Sequence, residues 1–164
     1  MTLQIKFKKL TEDATTPTRA YGYGNCWDVF ANEDTIIHSY CSTMVHTGLA
    51  FEVPVGYQLH IYNRSGNPVK KGLILSNSTG ILDTDYRGEL CCLFHSLPEQ
   101  EDIHHSNGTM IPEYYLADHP VEIKKGDKIA QIKLVKIEDE ELEEVTELSE
   151  TTRGEGGFGS SGNK

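Results

Sequence analysis

Two carboxylates, Asp83 and Asp85, stand two residues apart in Gly80-Ile81-Leu82-Asp83-Thr84-Asp85-Tyr86-Arg87-Gly88. On a strand they would share a face, so one could orient a water while the other bound a partner group. Taken alone, the segment reads more simply as an Asp- and Gly-rich β-turn. Arg64-Ser65-Gly66 combines a bidentate donor, a hydroxyl and a permissive backbone, which is the chemistry of an anion cradle. Asp28 lies inside the apolar run Cys26-Trp27-Asp28-Val29-Phe30. A buried carboxylate needs a partner. Asp28 is therefore a candidate for holding a metal-bound water, or for one half of a structural ion pair. Gln131 interrupts Ile129-Ala130-Gln131-Ile132, where the plain alternative is the outward face of a strand.

The segment RGEGGFGSSGNK, residues 153–164, holds five glycines and one large apolar side chain, Phe158. Gly154, Gly156 and Gly159 spell a G-x-G-x-x-G, but no strand leads into it and no helix follows, so a dinucleotide fingerprint is rejected. Glycine-rich backbone does present free N–H groups to phosphate oxygens. Arg153 adds a forked donor, Ser160 and Ser161 add hydroxyls, and Phe158 offers a face for a base. Base–aromatic stacking is worth about 1–3 kcal/mol. The plain alternative is a solvated flexible tail.

These groups need elements to position them, and the prevailing period is two. Leu3, Ile5 and Phe7 alternate with polar neighbours, as do Leu49, Phe51 and Val53, and Leu59 and Ile61. Leu73–Leu75, Leu90–Phe94 and Ile129–Ile137 are short apolar runs between Gly, Pro, Asn and Asp. Many short strands with turn signals predict an all-β sandwich or barrel. Gly66–Lys71, with Pro68 in a first turn, is the one short helix expected. Leu142, Val145 and Leu148 fit a helical spacing, but the Thr and Ser residues around them argue equally for an extended segment. Residues 95–121 are polar and rich in His, Pro and Asn, and read as a long surface insertion.

The chain has 164 residues and a net charge of −10. That length suits one domain. Residues 138–152 hold eight acids and no base, whereas residues 1–137 hold 13 bases against 16 acids. A near-neutral body with no basic face argues against nucleic acid as a partner. No run is long and apolar enough for a membrane helix. The first residues lack an apolar signal region, so a cytoplasmic, reducing setting is expected. Cys26, Cys41, Cys91 and Cys92 form no C-x-x-C, so buried thiols are expected rather than a zinc site.

Taken in order, these segments resemble the five motifs of the trimeric, all-β dUTPases. Pro17-Thr18-Arg19-Ala20 with Asp28 matches the first, and Arg64-Ser65-Gly66, preceded by Thr47-Gly48-Leu49, Pro54 and Gly56, matches the second. Asn77 to Gly88 matches the third, Lys125 to Gln131 the fourth, and Arg153 to Gly162 the fifth. The resemblance implies a distorted jelly-roll or β-barrel with one short helix, assembled as a homotrimer. Residues 1–137 would form the barrel, 138–152 an acidic arm crossing to a neighbour, and 153–164 a closing lid.

The implied reaction is hydrolysis of dUTP to dUMP and pyrophosphate with Mg²⁺. Asp83 would deprotonate the attacking water, in line with the α-phosphorus. Asp28 would reach Mg²⁺ through water. Arg64, Ser65 and Gly66 would cradle phosphates, and Gln131 would fix the α-phosphate. Asn77 would read the uracil edge, and Tyr86 would underlie the deoxyribose. Phe158 would close on uracil and Arg153 on the γ-phosphate, with Gly159, Ser160 and Ser161 in the same lid. The sequence departs from the family pattern at Asn63, where Pro is usual, at Asn67 and Pro68, at Cys26, at Lys128 and at Ser161. Two other readings stay open: a related dCTP deaminase, and a nucleotide-gated interaction protein that contacts a partner through 95–121.

Overall fold

The computed structural model describes residues 3–22, 24–97, 99–101 and 115–157. Its elements are β1 (Lys6–Lys9), β2 (Trp27–Phe30), β3 (Thr35–Ile37), β4 (Thr43–Glu52), β5 (Tyr57–Asn63), α1 (Gly66–Lys71), β6 (Leu73–Leu75), β7 (Thr79–Leu82), β8 (Glu89–Ser96), β9 (Glu99–Glu101), β10 (Tyr115–Ala117), β11 (Val121–Ile123) and β12 (Lys128–Lys136). The expected helix and the apolar runs at 73–75, 90–94 and 129–137 thus become α1, β6, β8 and β12. Pro68 sits in the first turn of α1, and Gly72 ends it in the left-handed region at φ 60°.

Alternation explains the layering. Along β8, Leu90, Cys92, Phe94 and Ser96 are buried while Glu89, Cys91, Leu93 and His95 face outward. The adjacent Cys91 and Cys92 therefore point to opposite faces. Two four-stranded antiparallel sheets, β1-β4-β8-β6 and β2-β12-β5-β7, carry the molecule, with the pairs β11-β3 and β10-β9 beside them. The core lies between them, around Val29, Val45, Leu49, Leu59, Leu90, Phe94 and Ile129. This is the all-β architecture expected from the alternation, in the distorted jelly-roll form that the family resemblance implies.

Residues 138–150 contain no helix or strand, so the spacing of Leu142, Val145 and Leu148 does not produce a helix. All three side chains are exposed and have nothing to bury a helical face against. Of the four thiols, Cys92 is buried, Cys26 and Cys91 are half-buried and Cys41 is exposed, so the expectation of buried thiols holds only in part. Among the described residues no helix is long and apolar enough to cross a membrane.

One irregularity shapes the first sheet. The pairing of β4 with β8 shifts register between His46 and Ala50. Gly48 occupies the bulge at φ +67°. A Cβ there would stand 2.8 Å from Ala14 Cβ and 2.9 Å from both Asn32 Cγ and Thr11 Oγ1. The bulge is fastened on both sides: the Gly48 N–H donates to Glu89 Oε1 at 2.7 Å, and buried Thr47 Oγ1 donates to the Leu90 carbonyl at 2.6 Å. Gly48→Ala combines a left-handed β-carbon with overpacking. It is expected to cost about 3 kcal/mol, read as a lower urea midpoint with an unchanged slope.

Candidate active site

The second sheet brings three of the sequence segments together on one carboxylate. Asp28 on β2 lies opposite Gln131 on β12, Gln131 opposite Tyr62 on β5, and Tyr62 opposite Thr79 on β7. Asp28 is only 2% exposed. Its Oδ2 accepts from Lys128 Nζ at 2.8 Å and its Oδ1 from Gln131 Nε2 at 3.1 Å. Arg64 Nε lies 3.4 Å from Oδ1. Burial pushes the carboxyl up, but the Lys128 ammonium, the Gln131 amide and the Arg64 guanidinium outweigh it and hold it below its ordinary value. Gln131 therefore does not merely face solvent from a strand.

Arg64 is turned inward. Its Nη1 donates to the Lys128 carbonyl at 3.0 Å, while its Nε is buried with no hydrogen-bond partner. Its nearest acceptor is Asp28 Oδ1, and the Lys128 ammonium stands on the other oxygen of that carboxylate. Ser65 precedes α1 and is exposed, and Gly66 opens the helix. The two asparagines that depart from the family pattern carry structure here. Asn67 Nδ2 donates to Asn63 Oδ1 at 3.0 Å and to the Ile129 carbonyl at 2.8 Å, and Asn63 Nδ2 donates to the Leu73 carbonyl at 3.0 Å. They tie the cradle to β12 and β6.

Asn77 to Gly88 forms a second constellation. Ser78 holds a left-handed φ of 54°, and the Thr79 N–H donates to the Asn77 carbonyl at 2.6 Å. Gly80 faces Ile61 closely enough that a Cβ would lie 3.0 Å from Ile61 Cδ1 and 3.4 Å from Asn77 Nδ2. Asp83 to Tyr86 make a β-turn, with the Tyr86 N–H donating to the Asp83 carbonyl at 3.2 Å. The turn reading of this segment is the one the structure adopts, and Asp83 and Asp85 do not share a strand face. Thr84 Oγ1 anchors the turn to the Tyr57 carbonyl at 2.9 Å, and Arg87 Nη1 clamps it through the Thr84 carbonyl at 2.7 Å. Tyr86 Oη donates to the Glu89 carbonyl at 3.1 Å, with its ring over Gly88 where a Cβ would collide. Asp83 and Asn77 are exposed.

Asp83 and Tyr86 sit at the opposite end of the β5–β7 pair from Arg64, whereas Thr79 lies beside Tyr62 at the Arg64 end. Leu82, just before Asp83, lies beside Leu59, whereas Arg64 follows the far end of β5 at Asn63. Four residues of strand separate these ends by about 13 Å. One chain thus brings Asp28, Arg64, Lys128 and Gln131 together and leaves Asp83 and Tyr86 apart from them.

Arg153 donates from Nε to the Gly156 carbonyl at 2.7 Å within an exposed turn. Phe158, Gly159, Ser160 and Ser161 lie outside the described residues, as do residues 102–114 of the proposed insertion. Lys128, Asn63 and Asn67 were not assigned roles from sequence. A Lys three residues before Gln131 shows its function only once β12 is laid beside Asp28.

The chain is an all-β jelly roll that gathers a buried carboxylate–arginine network on one sheet and sets a second carboxylate on a tight turn. A family model described as dUTPase matches residues 12–112 and 105–162. A deoxyuridine 5'-triphosphate nucleotidohydrolase of Hydrogenobaculum sp. (strain Y04AAS1) is 37% identical over 163 residues, covering 99% of this chain and 100% of that one. A point mutant of the Staphylococcus bacteriophage 80alpha dUTPase, solved with dUpNHpp, superposes with a TM-score of 0.79 at 29% identity, covering 98% of this chain and 99% of that one. A point mutant of the dUTPase from phage phi11 of S. aureus, whose structure describes the coordination of a structural Mg(II) ion, gives a TM-score of 0.69 at 25% identity, covering 88% and 98%. The chain belongs to the dUTPase family of nucleotide hydrolases.

Asp28 yields a pH prediction with a definite sign. Its depressed carboxyl contributes stability that is present above the unfolded-state value and lost as pH falls through the folded-state value. Lys128→Met leaves burial opposed by Arg64 and Gln131 alone. The acid limb of stability is then expected to move to higher pH, with a loss of about 2–3 kcal/mol at neutral pH. Urea midpoints taken from roughly pH 3 to pH 7 check both.

Proposed function

We propose that the chain hydrolyses dUTP to dUMP and pyrophosphate. The observation that carries this reading is the pairing of the Arg64 guanidinium and the Lys128 ammonium with buried Asp28, at the start of the Arg64-Ser65-Gly66 segment, in a chain of the dUTPase family. Arg64, Ser65 and Gly66 bind phosphate oxygens, and Gln131 orients the α-phosphate. Asp83 takes the proton of the attacking water, which is aimed in line at the α-phosphorus. Asn77 and the backbone around Ser78 read the uracil edge. Gly80, pressed against Ile61, keeps this hairpin thin. Tyr86, fixed by the Glu89 carbonyl, lies under the deoxyribose and leaves no room for a 2'-hydroxyl. Arg153 takes the γ-phosphate, and Phe158 with Gly159, Ser160 and Ser161 covers the base.

The donor set fits Mg²⁺ bound through water. Asp28 supplies a hard carboxylate oxygen, and Mg²⁺ characteristically keeps several waters while taking substrate phosphates. When bound, the ion offsets charge on the triphosphate. Lys128 and Arg64 already neutralise Asp28 in the free chain, so the carboxylate exchanges partners rather than gaining its first.

The separation of Asp83 from Arg64 supports a homotrimer whose sites are completed between subunits. Leu3, Ile5, Phe7, Phe51, Ile132 and Leu134 line an open apolar groove of about 590 Å³. Leu142, Val145 and Leu148 are exposed on the acidic arm and suit such a groove on a neighbour.

Pyrophosphate release is measured with dUTP, dCTP, dTTP and UTP. The expected outcome is turnover of dUTP alone, with Asp83→Asn slower by at least about 100-fold. Ammonia release from dCTP would instead mark a deaminase. Mixing inactive Asp83→Asn chains with inactive Arg64→Gln chains, then refolding them together, is expected to restore part of the activity. A site confined to one chain would show no such complementation.

A further inference from the structure

Where β4 meets β8, three side chains of different chemistry converge on the outward face. His46 and Cys91 are directly opposed across the two strands, and Glu89 lies two residues before Cys91 on the same face. His46 Nδ1 stands 2.9 Å from Glu89 Oε2 and 3.5 Å from Cys91 Sγ. All three donor atoms lie within 4.8 Å of one another, and all three residues are half-buried. We propose that His46 Nδ1, Glu89 Oε2 and Cys91 Sγ bind one zinc-class divalent cation per chain, with water as the fourth ligand.

The spacing suits that coordination. With zinc about 2.0 Å from nitrogen and oxygen and 2.3 Å from sulfur, tetrahedral ligand atoms stand roughly 3.3–3.6 Å apart. The His46 and Cys91 atoms are already at that separation, and Glu89 Oε2 has to retreat from His46 by only a few tenths of an ångström. Glu89 is also held from behind. Its Oε1 accepts the Gly48 N–H at 2.7 Å, so Oε2, bonded here to His46, is the oxygen that turns toward an ion. Such outer hydrogen bonds are what fix metal ligands in place. The ligand types select the ion: thiolate with imidazole favours zinc or cobalt over the hard Mg²⁺.

The protonation states agree with a site that exchanges protons for a cation. Burial, and then the neighbouring Glu89, push the Cys91 thiol up to about 11. The hydrogen bond to Glu89 raises His46 against the opposing effect of burial, and Glu33 adds negative charge toward both His46 and Cys91. An arriving cation displaces the Cys91 proton to solvent, together with any proton on His46, and removes the repulsion between Glu89 and a thiolate. No C-x-x-C or His-rich spacing announces this cluster, because its ligands come from strands 43 and 45 residues apart in sequence.

The experiment titrates purified full-length chain with zinc against a chromophoric chelator, and with cobalt under anaerobic conditions. The expected result is one ion per chain, proton release, and a thiolate-to-cobalt charge-transfer band. Cys91→Ser is expected to lose the band and to weaken zinc binding about 100-fold. His46→Gln, which keeps Glu89 and the bulge, should weaken it similarly. Both variants should melt like the metal-free wild type and keep dUTP turnover. Absent binding, affinity unchanged in Cys91→Ser, a cobalt spectrum without the thiolate band, or one ion per three chains would each overturn the proposal.

Discussion

A single buried negative charge organises the second sheet. Leaving Asp28 ionised at 2% exposure is tolerable only because Lys128, Gln131 and Arg64 converge on it. Those partners come from β12 and from the end of β5, so the charge links three segments distant in sequence. Removing water makes an ion costly and makes each compensating contact stronger.

The first sheet has its own fastening, built on Glu89. Its side chain takes the Gly48 N–H at the bulge while its carbonyl receives Tyr86 Oη. One residue at the start of β8 thus fixes both the β4 bulge and the Tyr86 ring beside the Asp83–Tyr86 turn. Gly48 and Gly88 are required at these contacts because a Cβ at either would collide with the groups packed there. Two asparagines serve the second sheet in a comparable way. Asn63 and Asn67 break the expected pattern of the second motif together, and they bond to each other and to two backbone carbonyls. A pair of departures that reads separately as two losses is one coupled replacement.

The arrangement also explains why the chain carries apolar side chains outside its core. Leu142, Val145 and Leu148 project from an acidic segment that forms no element of its own, while an apolar groove lies open between β1 and β12. A helix or strand in the arm would have nothing within this chain to pack against. The arm's apolar side chains and the groove are both left open among the described residues.

The main strands at 49–53, 59–61, 73–75, 90–94 and 129–137, the helix at Gly66–Lys71 and the five motif segments are legible in linear order, because alternation, Pro and Gly placement and motif order are local properties. The family followed from that order. Tertiary structure alone decided which charges meet. Lys128 looks like any surface lysine until β12 pairs with β2 and sets it on Asp28. Gln131 reads as an outward polar residue until the same pairing gives it a carboxylate. His46, Glu89 and Cys91 carry no spacing signal, because cross-strand neighbours are set by register rather than by sequence distance. Burial, ion pairing and hydrogen bonding depend on such non-local neighbours, and linear order does not encode them in any readable period.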